Sequence, residues 1–240
     1  MVSVIIPTYH ERETLSELLP RVAAVRVSVP IPLEVLVVDD RSTDGTPELA
    51  EAFFRSAPIG RVIRRNGPAD LAHAVMEGMR NARGALIAVM DADLSHPPEL
   101  LPALVEAIRQ GSDLAVASRY VPGSEIAHWS WRRRALSRVG NFLARPLTPV
   151  ADATSGYFVI RREVLSAELL EARGFKILLE ILARGGLRRV RELPYRFTDR
   201  RQGKSKLRAR ILWRYAAQLG RLYRYRMSPR WNASPSPSSS

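Results

Sequence analysis

The sequence predicts an α/β fold in which a mostly parallel β-sheet is flanked by helices. Two patterns in the first half of the 240 residues predict it: short β-branched runs of strand length, and amphipathic stretches of helical length between them. Strands that alternate with helices in this way form parallel sheets whose faces the helices cover. Hydrophobic residues make up 46% and charged residues 25%, the composition of a globular domain rather than a disordered chain.

The elements follow from these runs in chain order. The predicted strands are Val2–Ile6, Leu33–Val38, Arg61–Ile63, Ala85–Met90, Asp113–Ser118, Gly156–Ile160 and Arg191–Phe197. The predicted helices are Glu11–Val27, Thr46–Arg55, Asp70–Ala82, Pro97–Arg109, Trp131–Arg145, Gly174–Ala183 and Leu207–Tyr225. Thr46 before Pro47 is typical of an N-cap followed by proline at the first helical position. The regular alternation ends near residue 120, and the Ser/Pro-rich segment Trp231–Ser240 is predicted to be disordered.

The chain contains no cysteine. Disulfides, thiolate catalysis and cysteine-ligated metal sites are therefore excluded, and a cytoplasmic location is favoured. No apolar run approaches the roughly 20 residues that a membrane-spanning helix needs. Met1 is followed directly by a predicted strand rather than by a leader peptide, so we expect neither secretion nor a membrane span.

Positive charge is concentrated near the C-terminus. The net charge is +13, and residues 200–230 hold eleven Lys and Arg side chains and no Asp or Glu. This predicts an anionic partner, for which nucleic acid, a phosphorylated substrate and acidic lipid headgroups are the three classes. The sequence has no helix-turn-helix, zinc-finger or RNA-binding motif, so we expect no nucleic acid among the partners.

Polar side chains follow three of the predicted strands at the point where each strand ends. Residues 7–11 follow the first strand, Asp39 and Asp40 follow the second, and residues 91–95 follow the fourth. In an open α/β sheet ligands bind outside the carboxyl ends of the strands. We therefore expect these side chains to meet at one edge of the sheet, although any single aspartate there is also a common turn or cap residue.

Asp91 and Asp93 are two residues apart, which places both carboxylates on one side of an extended chain. Oxygen ligands without His or Cys suit Mg²⁺ or Mn²⁺, which keeps waters and also binds substrate phosphates. The four histidines have no metal-ligand spacing, so zinc is not expected. Neither glycine-rich phosphate loop occurs in the sequence, so a metal is expected to neutralise a diphosphate in place of backbone amides.

Six short motifs occur in a fixed order between residues 2 and 210. They are Pro7–Glu11 (PTYHE), Val38–Asp40 (VDD) with Asp44–Thr46 (DGT), Asp91–Pro97 (DADLSHP), Ser118–Tyr120 (SRY), Thr154–Gly156 (TSG) and Gly203–Leu207 (GKSKL). In this order they resemble the inverting glycosyltransferases of family 2, and within that family the dolichol-phosphate or polyprenol-phosphate mannose synthase group. The resemblance implies a GT-A-like fold and a hexosyltransferase.

The resemblance also implies roles for individual residues. The nucleoside would be held by Pro7, Tyr9, Glu11, Val38 and Asp40. The diphosphate and its Mg²⁺ or Mn²⁺ would be held by Asp91, Ala92 and Asp93, with Ser95 as a further metal ligand. The phosphates would be faced by Arg119, Arg200 and Lys206. The implied catalytic residues are Asp91, Asp93, Arg119 and Arg200.

Arg133 and Ser137 are the residues that the resemblance implies for the acceptor phosphate. They lie four apart and therefore on one face of the predicted helix. A lipid monophosphate is already an anionic nucleophile, so the reaction needs it held in line by cations more than it needs a general base. Arg133 in the basic run 131–135 could also belong to a solvated surface, and Ser137 could be a plain polar position.

The implied reaction is transfer of mannose from GDP-mannose to a polyprenyl or dolichyl phosphate with inversion. The chain departs from the resemblance at Asp70-Leu71-Ala72, where many relatives carry Gly-Leu-Gly, and at His10, where asparagine is commoner. Both departures lie near the nucleotide edge. Two alternatives therefore stay open: a UDP-sugar donor such as UDP-glucose, and a non-catalytic sugar-nucleotide-binding subunit that regulates a membrane partner.

Apolar residues recur at helical spacing between Leu207 and Leu222, with aromatic side chains and arginines between them. A basic amphipathic helix of this kind lies on anionic membrane surfaces, although the same stripe could pack on the protein's own core. We expect a catalytic domain at 1–206, a basic membrane-interface helix at 207–230 and a disordered tail at 231–240. The protein would then be peripheral on the cytoplasmic face of a membrane, with a possible membrane-anchoring partner protein.

Overall fold

The computed structural model of the chain describes residues 1–67, 69–127, 129–166, 176–198 and 209–228. Its strands are β1 (Val2–Thr8), β2 (Leu33–Asp39), β3 (Gly60–Arg64), β4 (Leu86–Val89), β5 (Leu114–Ser118), β6 (Glu125–Ala127), β7 (Phe158–Arg161), β8 (Val190–Pro194) and β9 (Arg196–Thr198). Its α-helices are α1 (Arg12–Val25), α2 (Thr46–Ser56), α3 (Leu71–Asn81), α4 (Leu101–Arg109), α5 (Trp131–Ala144), α6 (Ile177–Arg184) and α7 (Ala209–Arg226).

Seven strands form one sheet in the order β3-β2-β1-β4-β7-β5-β8. The pairs β1–β2, β1–β4, β2–β3 and β5–β8 are parallel, whereas β7 runs antiparallel between β4 and β5. The strand order reverses at β1, which lies between β2 and β4. Ligands bind at such a reversal in open α/β sheets, just beyond the carboxyl ends of the strands. The predicted fold class, a mostly parallel sheet flanked by helices, is confirmed.

The sheet has a hydrophobic cluster on each face. One contains side chains of β1, β2, α1 and α4, with Leu15, Leu18 and Leu104 fully buried. The other contains Ile5, Ile87 and side chains of α3 and α6. Two fully buried faces explain why the strands are nearly continuous apolar runs rather than alternating ones. This packing fixes the strand ends, and with them the loops that form the candidate site.

The C-terminal helix α7 packs on the domain. Leu219 and Leu222 are buried in a third cluster with Ala144, Leu147 and Leu179. The hydroxyl of Tyr215 donates to the carbonyl of Gly140 in α5 at 2.8 Å. Part of the predicted apolar stripe of this helix therefore covers the protein's own core. Within the described residues, no helix is both long and apolar enough to span a membrane.

Two local predictions were wrong. Arg191–Phe197 is two strands, because the chain leaves the main sheet after Pro194 and β9 pairs with β6, a strand that the sequence did not predict. Gly45, with φ of +86°, is the N-cap of α2, and Thr46 is its first residue; the Thr46 hydroxyl donates instead to Asp44 at 2.6 Å. The predicted starts of the last two helices, at 174 and 207, and the tail 231–240 lie outside the described residues.

Candidate active site

A cleft of about 380 Å³ lies at the carboxyl ends of β1, β2 and β4, where the strand order reverses. Its lining comes from the loops after these three strands and from the start of α3: Pro7, Thr8, Tyr9, Glu11, Asp40, Ala69, Asp70, Leu71, Ala74, Asp91, Ala92 and Asp93. The residues that follow these strands therefore meet at one edge of the sheet, as predicted. We call this cleft the first cleft.

The two neighbouring aspartates after β2 have different surroundings. Both are buried. Asp39 organises its own loop: its carboxylate accepts from the Ser42 hydroxyl at 2.6 Å and from the Thr8 hydroxyl at 3.0 Å. Asp40 lines the first cleft, where it pairs with Arg65 and accepts from the Asp70 backbone N–H at 2.7 Å. Only the second aspartate is placed to meet a ligand.

Three non-glycine residues in the described chain have positive φ, and each lies in one of the loops that line the first cleft. His10 (+57°) follows β1, Arg41 (+63°) follows β2 and Leu94 (+63°) follows β4. Such conformations are sparsely populated by L-residues and are found disproportionately at functional sites. The three loops are therefore held in shapes that their own residues do not favour.

The nucleoside candidates differ in their placement. Pro7, Tyr9 and Glu11 line the first cleft, and the Tyr9 side chain is 53% exposed. Glu11 Oε2 accepts from the hydroxyl of Thr14 at 2.7 Å, which orients the carboxylate. Val38 is fully buried and its side chain belongs to a core cluster, so it does not line the cleft.

Asp91 and Asp93 border the first cleft and also a second one. Asp93 Oδ1 accepts from the Ser95 hydroxyl at 2.6 Å and from its backbone N–H at 3.1 Å. Gly156 lies against the other carboxylate: a Cβ there would come within 2.7 Å of Asp91 Oδ2. The motif Thr154–Gly156 therefore ends in glycine because the loop passes directly over Asp91.

The carboxylates of Asp91 and Asp93 fit a divalent cation that also keeps waters or phosphates as ligands. Within the described ranges, no group of three or more His, Cys, Asp or Glu side chains could hold a metal ion by itself. Two carboxylates facing a cleft are the usual protein share of a Mg²⁺ or Mn²⁺ site, in which waters and substrate phosphates complete the shell. Ser95 donates its hydroxyl to Asp93, so in this structure it orients that carboxylate.

The second cleft has a volume of about 290 Å³ and lies between α5, α7 and the strand-end loops. Its polar and charged lining is Asp91, Asp93, Ser95, His96, Arg119, Arg133, Ser137, Thr154, Lys176 and Tyr215, and its apolar lining includes Trp129, Leu136, Phe197, Ile211 and Leu212. Arg133 stacks over Trp129, with its guanidinium carbon 4.3 Å from a ring centroid. The Ser137 hydroxyl accepts from Tyr120 at 2.6 Å.

Arg119 is buried and bound to Asp152. Its Nε and Nη2 each donate to a carboxylate oxygen at 2.7 Å, and Nη2 also donates to the Thr154 hydroxyl at 3.1 Å. Burial acts to lower the pKa of Arg119, but the charge and hydrogen bonds of Asp152 outweigh it and the pKa is raised. Arg119 is therefore charged at every pH at which the protein works, and Asp152 balances that charge.

His96 and Lys176 border the second cleft without having been among the predicted site residues. His96 is 3% exposed and packs among Tyr157, Tyr195 and Phe197. Its Nδ1 accepts from the Asp91 backbone N–H at 3.0 Å, and burial lowers its pKa, so the ring is neutral. The motif DADLSHP contains this histidine, but nothing in the local pattern shows that it holds the backbone of Asp91.

Two predicted phosphate contacts, Arg200 and Lys206, lie outside the described residues. Their roles stay predictions. The same holds for the motif Gly203–Leu207 that contains Lys206.

Comparison with known proteins identifies the family. Residues 3–169 match the sequence model of the family described as glycosyl transferase family 2. This chain belongs to glycosyltransferase family 2. The match covers β1 to β7 and thus both carboxylates of the Asp-x-Asp motif, and it confirms the predicted class of enzyme, a glycosyltransferase.

Two curated relatives narrow the similarity within glycosyltransferase family 2. The chain is 41% identical over 228 residues to a dolichol-phosphate mannosyltransferase of Pyrococcus furiosus, which covers 93% of this chain and 64% of the relative. It is 36% identical over 231 residues to the dolichol-phosphate mannosyltransferase of Saccharomyces cerevisiae, covering 92% of this chain and 86% of the relative. The chain thus spans less than two thirds of the archaeal relative's length.

A solved structure shares the glycosyltransferase fold. A mannosyltransferase from Pyrobaculum calidifontis, in complex with GDP-Man and Mn²⁺, superposes with a TM-score of 0.58 over 94% of this chain and 64% of that one. The two sequences are 22% identical, so this likeness supports the fold alone.

Proposed function

We propose that this glycosyltransferase moves mannose from GDP-mannose to a polyprenyl or dolichyl monophosphate, with inversion at the anomeric carbon. Relatives that are 41% and 36% identical to the chain bear the name dolichol-phosphate mannosyltransferase. In this account the first cleft holds the nucleotide sugar and the second holds the phosphate of the lipid.

The observation that carries the proposal is that the two clefts meet at Asp91 and Asp93. Both carboxylates border both clefts. A group-transfer enzyme must bring donor and acceptor to one point and hold them in line. A diphosphate bound at Asp91 and Asp93 would present its sugar toward the second cleft, where cationic side chains face the acceptor.

The chemistry proposed is a single displacement. An acceptor phosphate oxygen attacks C1 of mannose from the face opposite the diphosphate, forming the new C1–O bond. The old C1–O bond breaks, and GDP leaves with the electron pair. The acceptor is already an anion, so no protein group needs to remove a proton from it. Inversion at C1 follows from one in-line step.

The charges of the described residues suit this reaction. Arg133 and Lys176 border the second cleft and would bind the acceptor phosphate, while Asp152 already balances the charge of Arg119. Arg119 then positions the Thr154–Gly156 loop through its bonds to Asp152 and Thr154. A divalent cation held by Asp91 and Asp93 would neutralise the charge that develops on the leaving diphosphate.

We further propose that a surface formed by α5 and the start of α7 docks on an anionic membrane. Its exposed apolar side chains are Trp131, Val139, Phe142, Leu143, Leu212 and Trp213. Arginines 132, 134 and 138 are also exposed on α5. Aromatic and basic side chains on amphipathic helices are typical of elements that lie in the membrane interface. We call this the apolar helical surface.

The position of the apolar helical surface suits a lipid acceptor. The same two helices contribute Arg133, Ser137, Ile211 and Tyr215 to the second cleft. A polyprenyl chain in the bilayer could therefore reach the cleft with its phosphate without leaving the membrane surface. The proposed location is the cytoplasmic face of a membrane, with or without an anchoring partner protein.

The identity of the donor is tested by supplying three sugar nucleotides one at a time. The purified protein with Mn²⁺ and a short polyprenyl phosphate is given GDP-mannose, UDP-glucose or UDP-GlcNAc separately, and lipid-linked sugar is measured by mass spectrometry. The proposal expects product from GDP-mannose and none from the others, and no product from the Asp93→Ala variant. Product from a UDP-sugar alone would keep the mechanism and overturn the mannose assignment; binding without turnover would favour a regulatory subunit.

A further inference from the structure

Asp70 connects the first cleft to the C-terminal helix. Its backbone N–H donates to Asp40 Oδ2 at 2.7 Å, and its own Oδ2 accepts from Nη2 of Arg214 at 2.5 Å. Asp40 and Asp70 both line the first cleft. Two successive hydrogen bonds therefore join α7 to the wall of this cleft.

The two oxygens of Asp70 have separate partners. Oδ1 accepts from the backbone N–H groups of Ala72 and His73 at 3.0 and 3.3 Å and so caps α3, whereas Oδ2 binds Arg214. Asp70 has a φ of −154°, an extended conformation that does not require the glycine found in many relatives. At this position the chain has a helix cap and a contact to α7.

Arg214 binds a carboxylate that stays charged. Burial acts to raise the pKa of Asp70, but the hydrogen bond and the charge of Arg214 outweigh it, and the pKa is lowered. The side chain of Asp70 is 16% exposed and that of Arg214 is 40% exposed. The pair is thus partly shielded from water, which makes it stronger than an ordinary surface pair.

The helix that carries Arg214 also borders the second cleft. Ile211, Leu212 and Tyr215 of α7 line it, while Arg214 contacts the wall of the first. A helix moves as a rigid element, so a ligand that restrains one of its faces also restrains the side chains on the others. Helix α7 therefore has direct contacts with both proposed substrate sites.

We propose that Arg214 is a positioning residue for the nucleotide-sugar donor: it holds Asp70, and through it Asp40, so that α7 couples acceptor binding to donor binding. This rests on the proposed function, because it takes the first cleft as the donor site. Coupling of this kind is reciprocal. An acceptor bound along α7 therefore strengthens binding of the donor, and a bound donor strengthens binding of the acceptor by the same factor.

The test measures the affinity for GDP with Mn²⁺ by calorimetry, without lipid. Arg214→Gln should weaken GDP binding about 5–10-fold, the lower range of measured coupling between sites. Arg214→Lys should retain most of the wild-type affinity. Asp70→Asn keeps a capping oxygen but loses the charge, and it should weaken GDP binding by a similar factor. The double variant Asp70→Asn/Arg214→Gln should be no weaker than either single variant, because the two changes break the same contact.

Steady-state kinetics separate positioning from a general structural effect. In Arg214→Gln the KM for GDP-mannose should rise by the same factor as the GDP dissociation constant, with kcat unchanged. Adding a short polyprenyl phosphate should tighten GDP in the wild type and do so less in Arg214→Gln. Arg224, on the same helix and exposed, provides the matched control: Arg224→Gln should bind GDP like the wild type.

The inference is overturned if GDP affinity in both Arg214→Gln and Asp70→Asn stays within twofold of a wild type that turns over GDP-mannose; the proposed function would then stand. It is equally overturned if the double variant loses the product of the two single losses. A folded wild type that binds no guanine nucleotide would overturn the inference and the proposed function together.

Discussion

Arg119 and Asp152 form a bidentate ion pair beside the second cleft, with two N–O distances of 2.7 Å. The side chains are 10% and 0% exposed. The pair joins the end of β5 to the loop before β7, and that loop brings Gly156 over Asp91. It therefore fixes the loop that borders the carboxylates of Asp91 and Asp93.

Asp152→Asn should lower the free energy of unfolding by about 3–5 kcal/mol, the usual cost of leaving one partner of a buried pair without its counter-charge. Urea unfolding measures this. The matched control is Glu125→Gln, which breaks a pair with Arg196 whose side chains are 60% and 68% exposed, and which should cost at most about 1 kcal/mol. Equal losses in the two variants would contradict the role given to Asp152.

The same pair predicts a pH dependence. Burial acts to raise the pKa of Asp152, but the charge and hydrogen bonds of Arg119 outweigh it and the pKa is lowered. A lowered folded-state pKa means that the stabilisation is fully present above the ordinary aspartate value of about 3.9 and is lost as the pH falls through the folded-state value. The stability gap between wild type and Asp152→Asn should therefore be constant near neutral pH and narrow in acid. A gap unchanged in strong acid would rule out this assignment.

Much of the site could be predicted because its residues follow strands. Asp40, Asp91 and Asp93 each lie within three residues after an apolar run, and the topology of a parallel sheet brings such positions to one edge. The partner of Arg119 could not be chosen in this way, since Asp152 is 33 residues away and its loop position alone equally suits a turn. Lys176 was missed because a lone lysine at the start of a helix carries no spacing signal.

The fold shows the same division. The parallel order of β1 to β4 follows from the alternation of strands and helices, but the antiparallel insertion of β7 between β4 and β5 depends on pairing between distant segments. The break after Pro194 was missed because two short strands with only Tyr195 between them look like one strand. Local patterns thus predicted most of the elements and their type, while long-range pairing decided their arrangement.

Gly156→Ala should lower turnover roughly 100-fold while the protein stays folded. The added Cβ would lie 2.7 Å from Asp91 Oδ2 and 3.0 Å from His96 Cε1, so the carboxylate must shift. A misplacement of about 1 Å at an active site costs roughly 100-fold in rate. Gly220→Ala is the control, because nothing lies within 4 Å of its new Cβ. If Gly156→Ala retains more than a tenth of wild-type turnover, the close approach does not matter.

Lys176→Met should raise the KM for the lipid phosphate about 10-fold or more, the value of one charge-assisted hydrogen bond. At saturating lipid phosphate it should leave the KM for GDP-mannose unchanged. Lys176 borders the second cleft, and its main chain is held at both N–H and carbonyl by the Gln218 amide at 2.9 Å. Lys176→Arg should retain most of the affinity. An increase in the donor KM alone would instead place Lys176 at the nucleotide.

The double substitution Trp131→Ser/Phe142→Ser should weaken binding to anionic vesicles at least 10-fold, because each buried aromatic side chain contributes about 1.5–3 kcal/mol. These side chains are 73% and 71% exposed on the apolar helical surface. Val27, 90% exposed elsewhere on the domain, is the control, and Val27→Ser should bind vesicles like the wild type. Vesicle sedimentation measures this binding. Equal binding by the wild type, the double variant and Val27→Ser would show that the apolar helical surface is not the membrane-docking site.

The central claim, one in-line displacement from GDP-mannose onto a lipid phosphate, is tested most directly by the anomeric configuration of the product. The protein is incubated with Mn²⁺, a short polyprenyl phosphate and GDP-mannose carrying ¹³C at C1, and the C1–H1 coupling of the lipid-linked sugar is measured by NMR. The donor is α-linked, so the account predicts β-mannosyl phosphate and free GDP in equal amounts. An α-linked product would show retention and contradict the single displacement.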